Sequence, residues 1–551
     1  MMKPSLVATA ALLSSLPIIE GVLSPSAKTL NGTYKGRHLP EWDQDVFLGM
    51  PYAQPPVKSL RFRWPQSLND TFDDVRDASS YGYSCMQYKS RFNMSEDCLN
   101  LNVIRPAGVA GSRSLPVLVW IYGGGFYAGS AADPQYNLSS IVKVSQEMGQ
   151  PMIAVSFNYR LNMYGFLQAP QILAEGSSNA GLLDQRLALR WIQENIAAFG
   201  GNPQKVVVWG ESAGAQSIAY HLFSYDGRDD ELYRGAIMES GGPTGAQVQN
   251  LAYYTVPVPV ENLTRAVGCW SAKDNLSCLR DLDEHQLYSA APSQVWNPII
   301  DGEFLTGYPS QLIRQQKSNR VPLLIGTNSD EGTSFSISGP DTEQDLFTGF
   351  MTWRSYSLSP PTILKLLELY PDDPCHEPPF YISNCTVFPT KGLKWRRGAA
   401  IGGDMVMVSG RRKMCELYAH AGIPVFSYRF DSRLWNKDAV SGVQHFDNVA
   451  FSFQNITGLL GPSPQYDADL MLARAIGMAY VRFVHNLNPN TLHLPPAITD
   501  TSMLPYWPRY NQSTPMNMVL NASGSFIEED TFRKDGIAFL NTFEVARELL
   551  A

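Results

Sequence analysis

The chain has 551 residues, 44% of them hydrophobic and 17% charged, with a net charge of −8 at neutral pH. This composition builds a packed core and excludes an intrinsically disordered chain. An acidic balance without a Lys/Arg run supports neither a nucleic-acid partner nor an anionic membrane surface.

The first 24 residues read as an export signal. Lys3 supplies the positive start, Leu6 to Ile19 an apolar run, and Gly21 and Ser24 the small residues near a cleavage point. The run is too short to span a membrane, and no later stretch reaches the roughly 18 apolar residues a span needs. Six of the seven cysteines form three close-spaced pairs: Cys85 with Cys98, Cys269 with Cys278, and Cys375 with Cys385. Local disulfides suit an oxidising compartment, and the lack of Cys-x-x-Cys spacing argues against a metal. Cys415, in a helix-like stretch, reads as a buried free thiol. Ten Asn-x-Ser/Thr sequons are glycosylation candidates: Asn31, Asn69, Asn93, Asn137, Asn262, Asn275, Asn384, Asn455, Asn511 and Asn521.

Residues 25–551 show no repeat, low-complexity tract or linker, so one large domain is expected. Strand-like runs follow at Val46–Met50, Leu99–Arg105, Pro116–Tyr122, Met152–Tyr159, Lys205–Trp209, Gly235–Met238, Val321–Gly326 and Ile423–Phe430. Several are continuous apolar runs bounded by Gly or Pro, the pattern of strands covered on both faces. A mostly parallel sheet under helices is therefore predicted, an α/β class. The clearest helix runs from Gly181 to Phe199, with Leu182, Leu189, Ile192, Ile196 and Phe199 on one stripe. Gly200, Gly201 and Pro203 are expected to end it. Asn250–Asn297 and Ser336–Asp404 are less regular and are expected to be insertions that cap the sheet. Ile537 to Ala551 reads as one short amphipathic helix with no lipidation motif.

Gly210-Glu211-Ser212-Ala213-Gly214 follows the strand Lys205–Trp209 and precedes a helical run, Ala215 to Phe223. Gly-x-Ser-x-Gly at a strand-to-helix turn is a nucleophile elbow: the turn is tight, and the serine Oγ projects above the sheet. Gly123-Gly124-Gly125 follows the strand Pro116–Tyr122, where backbone N–H groups can face a ligand. The amides of Gly124, Gly125 and Ala213 are the candidate oxyanion hole. A serine nucleophile needs a base and a carboxylate to orient it, in the chain order Ser, acid, His. Of the seven histidines after Ser212, only His445 falls in a loop past a late strand. The acid should follow Val321–Gly326, where spacing leaves both Asp330 and Glu331 open.

With these motifs assembled, the chain resembles the type-B carboxylesterase/lipase family, most of all its secreted fungal members. The elbow matches, and Glu96-Asp97-Cys98-Leu99-Asn100-Leu101-Asn102-Val103 is similar to the family's second signature. Asn158-Tyr159-Arg160-Leu161 and Leu183-Asp184-Gln185 match as well. The resemblance implies an α/β-hydrolase fold and no cofactor. It also implies Glu331 as the acid, His445 as the base, ion pairs Arg61–Glu96 and Arg160–Asp184, and Ser240 as a hydroxyl beside the acid. It supports the disulfides Cys85–Cys98 and Cys269–Cys278, while Cys375–Cys385 rests on spacing only. The implied activity is that of a secreted serine ester hydrolase working through an acyl-enzyme on small or medium esters. A lipase, acyltransferase or lactone hydrolase would use the same triad, and a catalytically silent binding module would keep only the fold. Two departures bear on substrate. The Cys85–Cys98 loop holds only 12 residues where the family's lipases carry a long lid. Tyr88 stands where cholinesterases place a cation-binding Trp, which disfavours a choline ester.

Overall fold

Apolar runs without period-two alternation need cover on both faces, and the sheet they form has it. The computed structural model describes residues 24–550, except 89, 110–112, 246–247, 251, 253–257, 291–295, 383–384, 456–465 and 492–503. The export signal up to residue 23 and the sequon at Asn384 lie outside the described residues. In chain order the strands are β1 (Ser26–Lys28), β2 (Thr33–Lys35), β3 (Arg37–Leu39), β4 (Gln44–Pro51), β5 (Val75–Asp77), β6 (Asn100–Pro106) and β7 (Leu115–Ile121). Then come β8 (Ile153–Phe157), β9 (Gly201–Glu211), β10 (Gly235–Glu239), β11 (Leu323–Asn328), β12 (Val425–Phe430), β13 (Met516–Leu520) and β14 (Phe526–Glu529).

Eleven strands form one sheet in the order β14-β13-β12-β11-β10-β9-β7-β8-β6-β4-β3, and β1-β2-β5 form a small second sheet. From β13 to β8 every pairing is parallel. Both edges are antiparallel. This is the α/β-hydrolase architecture. All eight strands expected from the sequence lie in it. β7, β8, β10 and β11 are buried at every position. The strands the sequence concealed are short. β3, β5 and β14 are largely exposed and carry no apolar run, while Asn517 interrupts the apolar pattern of β13.

The long helix spans Ala180–Asn195 and tightens into a 3₁₀ turn, Ile196–Phe199. Gly200 alone ends it, at φ 88°. Gly201 and Pro203, expected beside it as terminators, instead open β9, because one left-handed residue suffices to turn the chain into the strand. The C-terminal segment is two helices rather than one, Lys534–Leu540 and Phe543–Glu548, separated where Thr542 turns extended.

The two insertions are anchored differently. Leu263, Leu276, Leu279 and Leu287 of the first pack into the main core. The second builds a core of its own, in which Leu346, Phe350, Ile363, Leu366 and Met405 meet Leu540, Val545 and Leu549 from the C-terminal helices. Each such side chain contributes about 1.5–3 kcal/mol when removed from water.

All three cysteine pairs are bridged. Cys85 is bonded to Cys98, Cys269 to Cys278, and Cys375 to Cys385. Their surroundings differ: Cys85, Cys98 and Cys269 are buried, Cys278 is half-buried against the main core, and Cys375 and Cys385 are exposed. The third bridge therefore ties a surface loop of the second insertion rather than joining a core. Cys415 is free and buried in the helix Ser409–His420, where burial pushes its thiol up to about 12. The implied ion pairs are present. Arg61 donates from Nε and Nη2 to Glu96 at 2.5 and 2.6 Å, and Arg160 donates to Asp184 at 2.8 and 2.6 Å. No described sequon asparagine is buried. Asn521, however, spends its amide on Asp431, so a glycan there would break that contact. Among the described residues no helix is long and apolar enough to cross a membrane.

Candidate active site

β9 ends at Glu211 and a helix begins at Ala213, leaving Ser212 alone at the turn. Its backbone sits at φ 53°, ψ −123°, a conformation that costs an L-residue about 1–3 kcal/mol and is held by the strand and helix on either side. The turn tolerates no bulk: a Cβ on Gly214 would lie 2.0 Å from the Ile121 carbonyl oxygen. The Ser212 N–H donates to the Glu239 carbonyl of β10 at 2.9 Å, which fixes the elbow to the sheet.

His445 lies on the loop after β12. Its Nε2 is 2.8 Å from Ser212 Oγ and its Nδ1 is 2.7 Å from Glu331 Oε2. Glu331 opens a 3₁₀ turn just past β11. Its other oxygen accepts from the Asn328 N–H at 2.7 Å and from Ser240 Oγ at 2.5 Å. Asp330 points elsewhere. It accepts from the backbone N–H of Val443 at 2.7 Å and of Phe380 at 3.0 Å, so it moors the loop that carries His445. Burial pushes its carboxyl up to about 6. Two neighbouring carboxylates thus divide the work, one on the imidazole and one on the imidazole's backbone.

Three of the other described histidines are occupied differently. His221 is buried against Gln185, and burial lowers it to about 3. His376 is exposed beside Asp373, and His485 meets the Gln150 carbonyl. His493 lies outside the described residues.

The glycine loop after β7 runs against the elbow, since a Cβ on Gly123 would come within 2.9 Å of the Ser212 Cβ. Gly124 and Gly125 have φ of 99° and 63°. A side chain at Gly124 would meet the Ala128 carbonyl oxygen at 2.2 Å. Ala213 is the first helical residue, so its N–H belongs to the unpaired positive end of that helix.

Sequence reasoning missed two carboxylates. Glu211, the second residue of the elbow motif, is buried with Oε1 3.3 Å from His445 Nε2. Its carboxyl is pushed up to about 8 by burial, with Glu239 and Glu331 adding to the rise and His445 opposing it. Glu239, buried at the end of β10, accepts from Tyr480 at 2.5 Å and Asn448 at 3.1 Å. Burial carries it to about 7 against those bonds. Burial also disfavours the charged form of His445, but Glu211 and Glu331 outweigh it and raise the imidazole to about 9. The only sequence signal was an acid directly beside each of two site serines, Ser212 and Ser240.

A serine on a strand-to-helix elbow, hydrogen-bonded to a histidine that is bonded to a glutamate, on this sheet, defines a serine hydrolase of the α/β-hydrolase fold. The chain belongs to the carboxylesterase family, whose family model matches residues 23–535. It is a carboxylic-ester hydrolase. It is 32% identical to Lipase 4 of Diutina rugosa, over 97% of this chain and 98% of that one. It is likewise 32% identical to Secreted lipase 1 of Botryotinia fuckeliana, over 90% and 89%. Among solved structures, EstA of Aspergillus niger superposes with a TM-score of 0.82 at 27% identity, over 96% of this chain and 99% of that one. A PNB esterase superposes with a TM-score of 0.74 at 29% identity, over 93% and 99%.

Proposed function

We propose that Ser212, His445 and Glu331 are the catalytic triad, with the amides of Gly124, Gly125 and Ala213 as the oxyanion hole. The observation that carries this reading is the unbroken pair of hydrogen bonds from Glu331 through His445 to Ser212 Oγ. His445 Nε2 takes the Ser212 proton as Oγ attacks the ester carbonyl. The carbonyl oxygen becomes negative beside the three amides, where each donor contributes about 10²–10³ in rate. The imidazolium then returns its proton to the departing alcohol. In the second half His445 deprotonates water, which releases the carboxylic acid and restores Ser212. Glu331 holds the imidazole in position and stabilises its charge.

The substrate class follows from the Cys85–Cys98 loop, which is fastened down. Tyr88 on it stacks on Tyr288 at 5.8 Å, and Tyr288 donates to the Gln87 carbonyl at 3.3 Å. Beside it the Glu96 N–H donates to Glu284. Arg61, paired to Glu96, also donates to the carbonyls of Leu279, Arg280 and Leu282. A short loop tied to the first insertion does not swing open at an oil–water interface, so dispersed esters of small or medium acyl length are the substrates. The lipase names of the relatives favour the second reading, long-chain esters at an interface. Export through the secretory pathway is part of the proposal, supported by the three disulfides and by a relative named as secreted.

Hydrolysis of p-nitrophenyl esters of rising acyl length, by the protein and its Ser212→Ala variant, tests both parts. The triad reading expects activity in the parent alone, highest at short or medium chains and continuous across the substrate's solubility limit. A sharp rise above that limit would establish the lipase reading instead. Equal activity in Ser212→Ala would overturn the triad.

A further inference from the structure

The end of β10 touches all three parts of the site. The Glu239 carbonyl accepts from the Ser212 N–H at 2.9 Å, and Ser240 Oγ donates to Glu331 at 2.5 Å. The Glu239 carboxylate reaches the third part. Its Oε2 accepts from Asn448 Nδ2 at 3.1 Å and Ser452 Oγ at 3.3 Å, and its Oε1 accepts from Tyr480 Oη at 2.5 Å. Asn448 lies on the segment just after His445, and its Oδ1 accepts from Asn328 Nδ2 at 3.1 Å. The same Nδ2 donates at 2.7 Å to the Gln444 carbonyl, the oxygen of the peptide bond that leads into His445. We propose that Glu239 is a positioning residue for the base: through Asn448 and Asn328, its carboxylate fixes the peptide that carries His445. The inference rests on the triad reading.

The direction of each hydrogen bond is what transmits the hold. An asparagine amide has one donating and one accepting end, and a buried one gains nothing by turning over unless its neighbours change too. Glu239 claims the NH₂ end of Asn448, which leaves the Asn448 oxygen facing Asn328. That oxygen claims the NH₂ end of Asn328, the only end that can bond the Gln444 carbonyl. Asn328 Oδ1 has no partner among the described residues, so nothing on that side holds the amide the right way round. Glu239, Asn448 and Asn328 are all buried, which keeps water from replacing any link. The Asp447 N–H reaches the Gln444 carbonyl from within the loop at 3.3 Å, whereas Asn328 grips it from the end of β11. Asp330 holds Val443, one peptide further from the imidazole. The Asn328 contact to Glu331 comes from its backbone N–H and does not depend on the relay.

The test measures kcat, KM and thermal midpoint on the full chain with p-nitrophenyl butyrate. Glu239→Leu removes the acceptor at similar volume and should lower kcat about tenfold or more, with KM within about twofold of the parent. Glu239→Gln removes the charge but can still turn an oxygen to Asn448, so it should keep kcat within about threefold. Asn328→Ala spares the backbone contact to Glu331 and should lower kcat as Glu239→Leu does. The two together should be no worse than the worse one alone, because they cut one relay. Where Glu239→Leu does not fold, Asn448→Leu breaks the same relay and is read in its place. Parental kcat in the relay-breaking variants, or losses in Glu239→Leu and Asn328→Ala that multiply, would overturn the proposal. So would an equal loss in Glu239→Gln and Glu239→Leu, which would assign the effect to charge. Failure of the triad reading looks different, since activity would then survive in Ser212→Ala.

Discussion

Two of the buried ionic clusters in this molecule are balanced in opposite ways. Around Asp530, two arginines and two neutral donors converge on one carboxylate, which is held well below the usual carboxylate range although burial alone would raise it. Around His445, two carboxylates, Glu211 and Glu331, flank one imidazole, and Glu211 is pushed up by burial with the nearby Glu239 and Glu331 adding to the rise. The first arrangement satisfies its anion and braces β12, β13 and β14. The second leaves anions in excess and creates a demand for positive charge at the imidazole. The same carboxylates stabilise the imidazolium that forms when His445 takes the serine proton. Excess cation around one carboxylate marks the scaffold, and excess carboxylate around one imidazole marks the chemistry.

The largest expected effect separates the two clusters outright. Ser212→Ala should lower kcat by about 10⁴–10⁶-fold while the thermal midpoint stays put. The structural cluster should answer the other way. Asp530→Asn leaves two buried guanidinium groups without their anion and should cost about 3–5 kcal/mol, read from the urea midpoint. The pH dependence has a definite sign. Because Asp530 is lowered in the folded state, its contribution is complete above its unfolded value of about 3.9 and is lost as pH falls below that. The asparagine variant should therefore lose this part of the acid sensitivity. Gly124→Ala should cut kcat by about 10²–10³-fold, because the new methyl must push the Ala128 carbonyl and with it the proposed oxyanion donors. The smallest effect tests the surplus directly. Glu211 helps hold the His445 proton, so in Glu211→Gln the imidazole should lose it at lower pH. The acid limb of kcat/KM should then move down by about one pH unit. An unmoved limb would mean that the excess charge around His445 has no bearing on its titration.

The parts legible in the sequence were those whose physics is local. The elbow declares itself because two glycines and a serine must occupy neighbouring places in one turn. The buried strands declare themselves as unbroken apolar runs. The cysteine pairs are legible for the same reason, since each closes a loop of a dozen residues or fewer, down to Cys269–Cys278 at a separation of 9 and Cys375–Cys385 at 10. Spacing could not choose between Asp330 and Glu331, because both follow β11 and the choice depends on which carboxylate faces a loop more than a hundred residues later. The family resemblance pointed to Glu331, and the geometry gives Asp330 its own task of holding Val443. Glu211 and Glu239 were invisible because their raised carboxyls come from burial by β9, β10 and the helix Asp467–Asn486, which meet only in three dimensions. β3, β5 and β14 escaped notice because exposed edge strands carry no hydrophobic signature.

The second core also sets a timetable. Leu540, Val545 and Leu549 fill it, Glu548 accepts from the Ser359 N–H at 2.9 Å, and the Leu550 carbonyl accepts from the Val248 N–H at 2.9 Å. On the ribosome, the region around residues 343–370 is therefore made long before its closing partners exist, and it must wait with apolar helices uncovered while some 170 further residues emerge. A truncation of only the last dozen residues would leave that waiting state permanent, exposing the protein to chaperones and proteases even though every residue of the proposed triad had been translated.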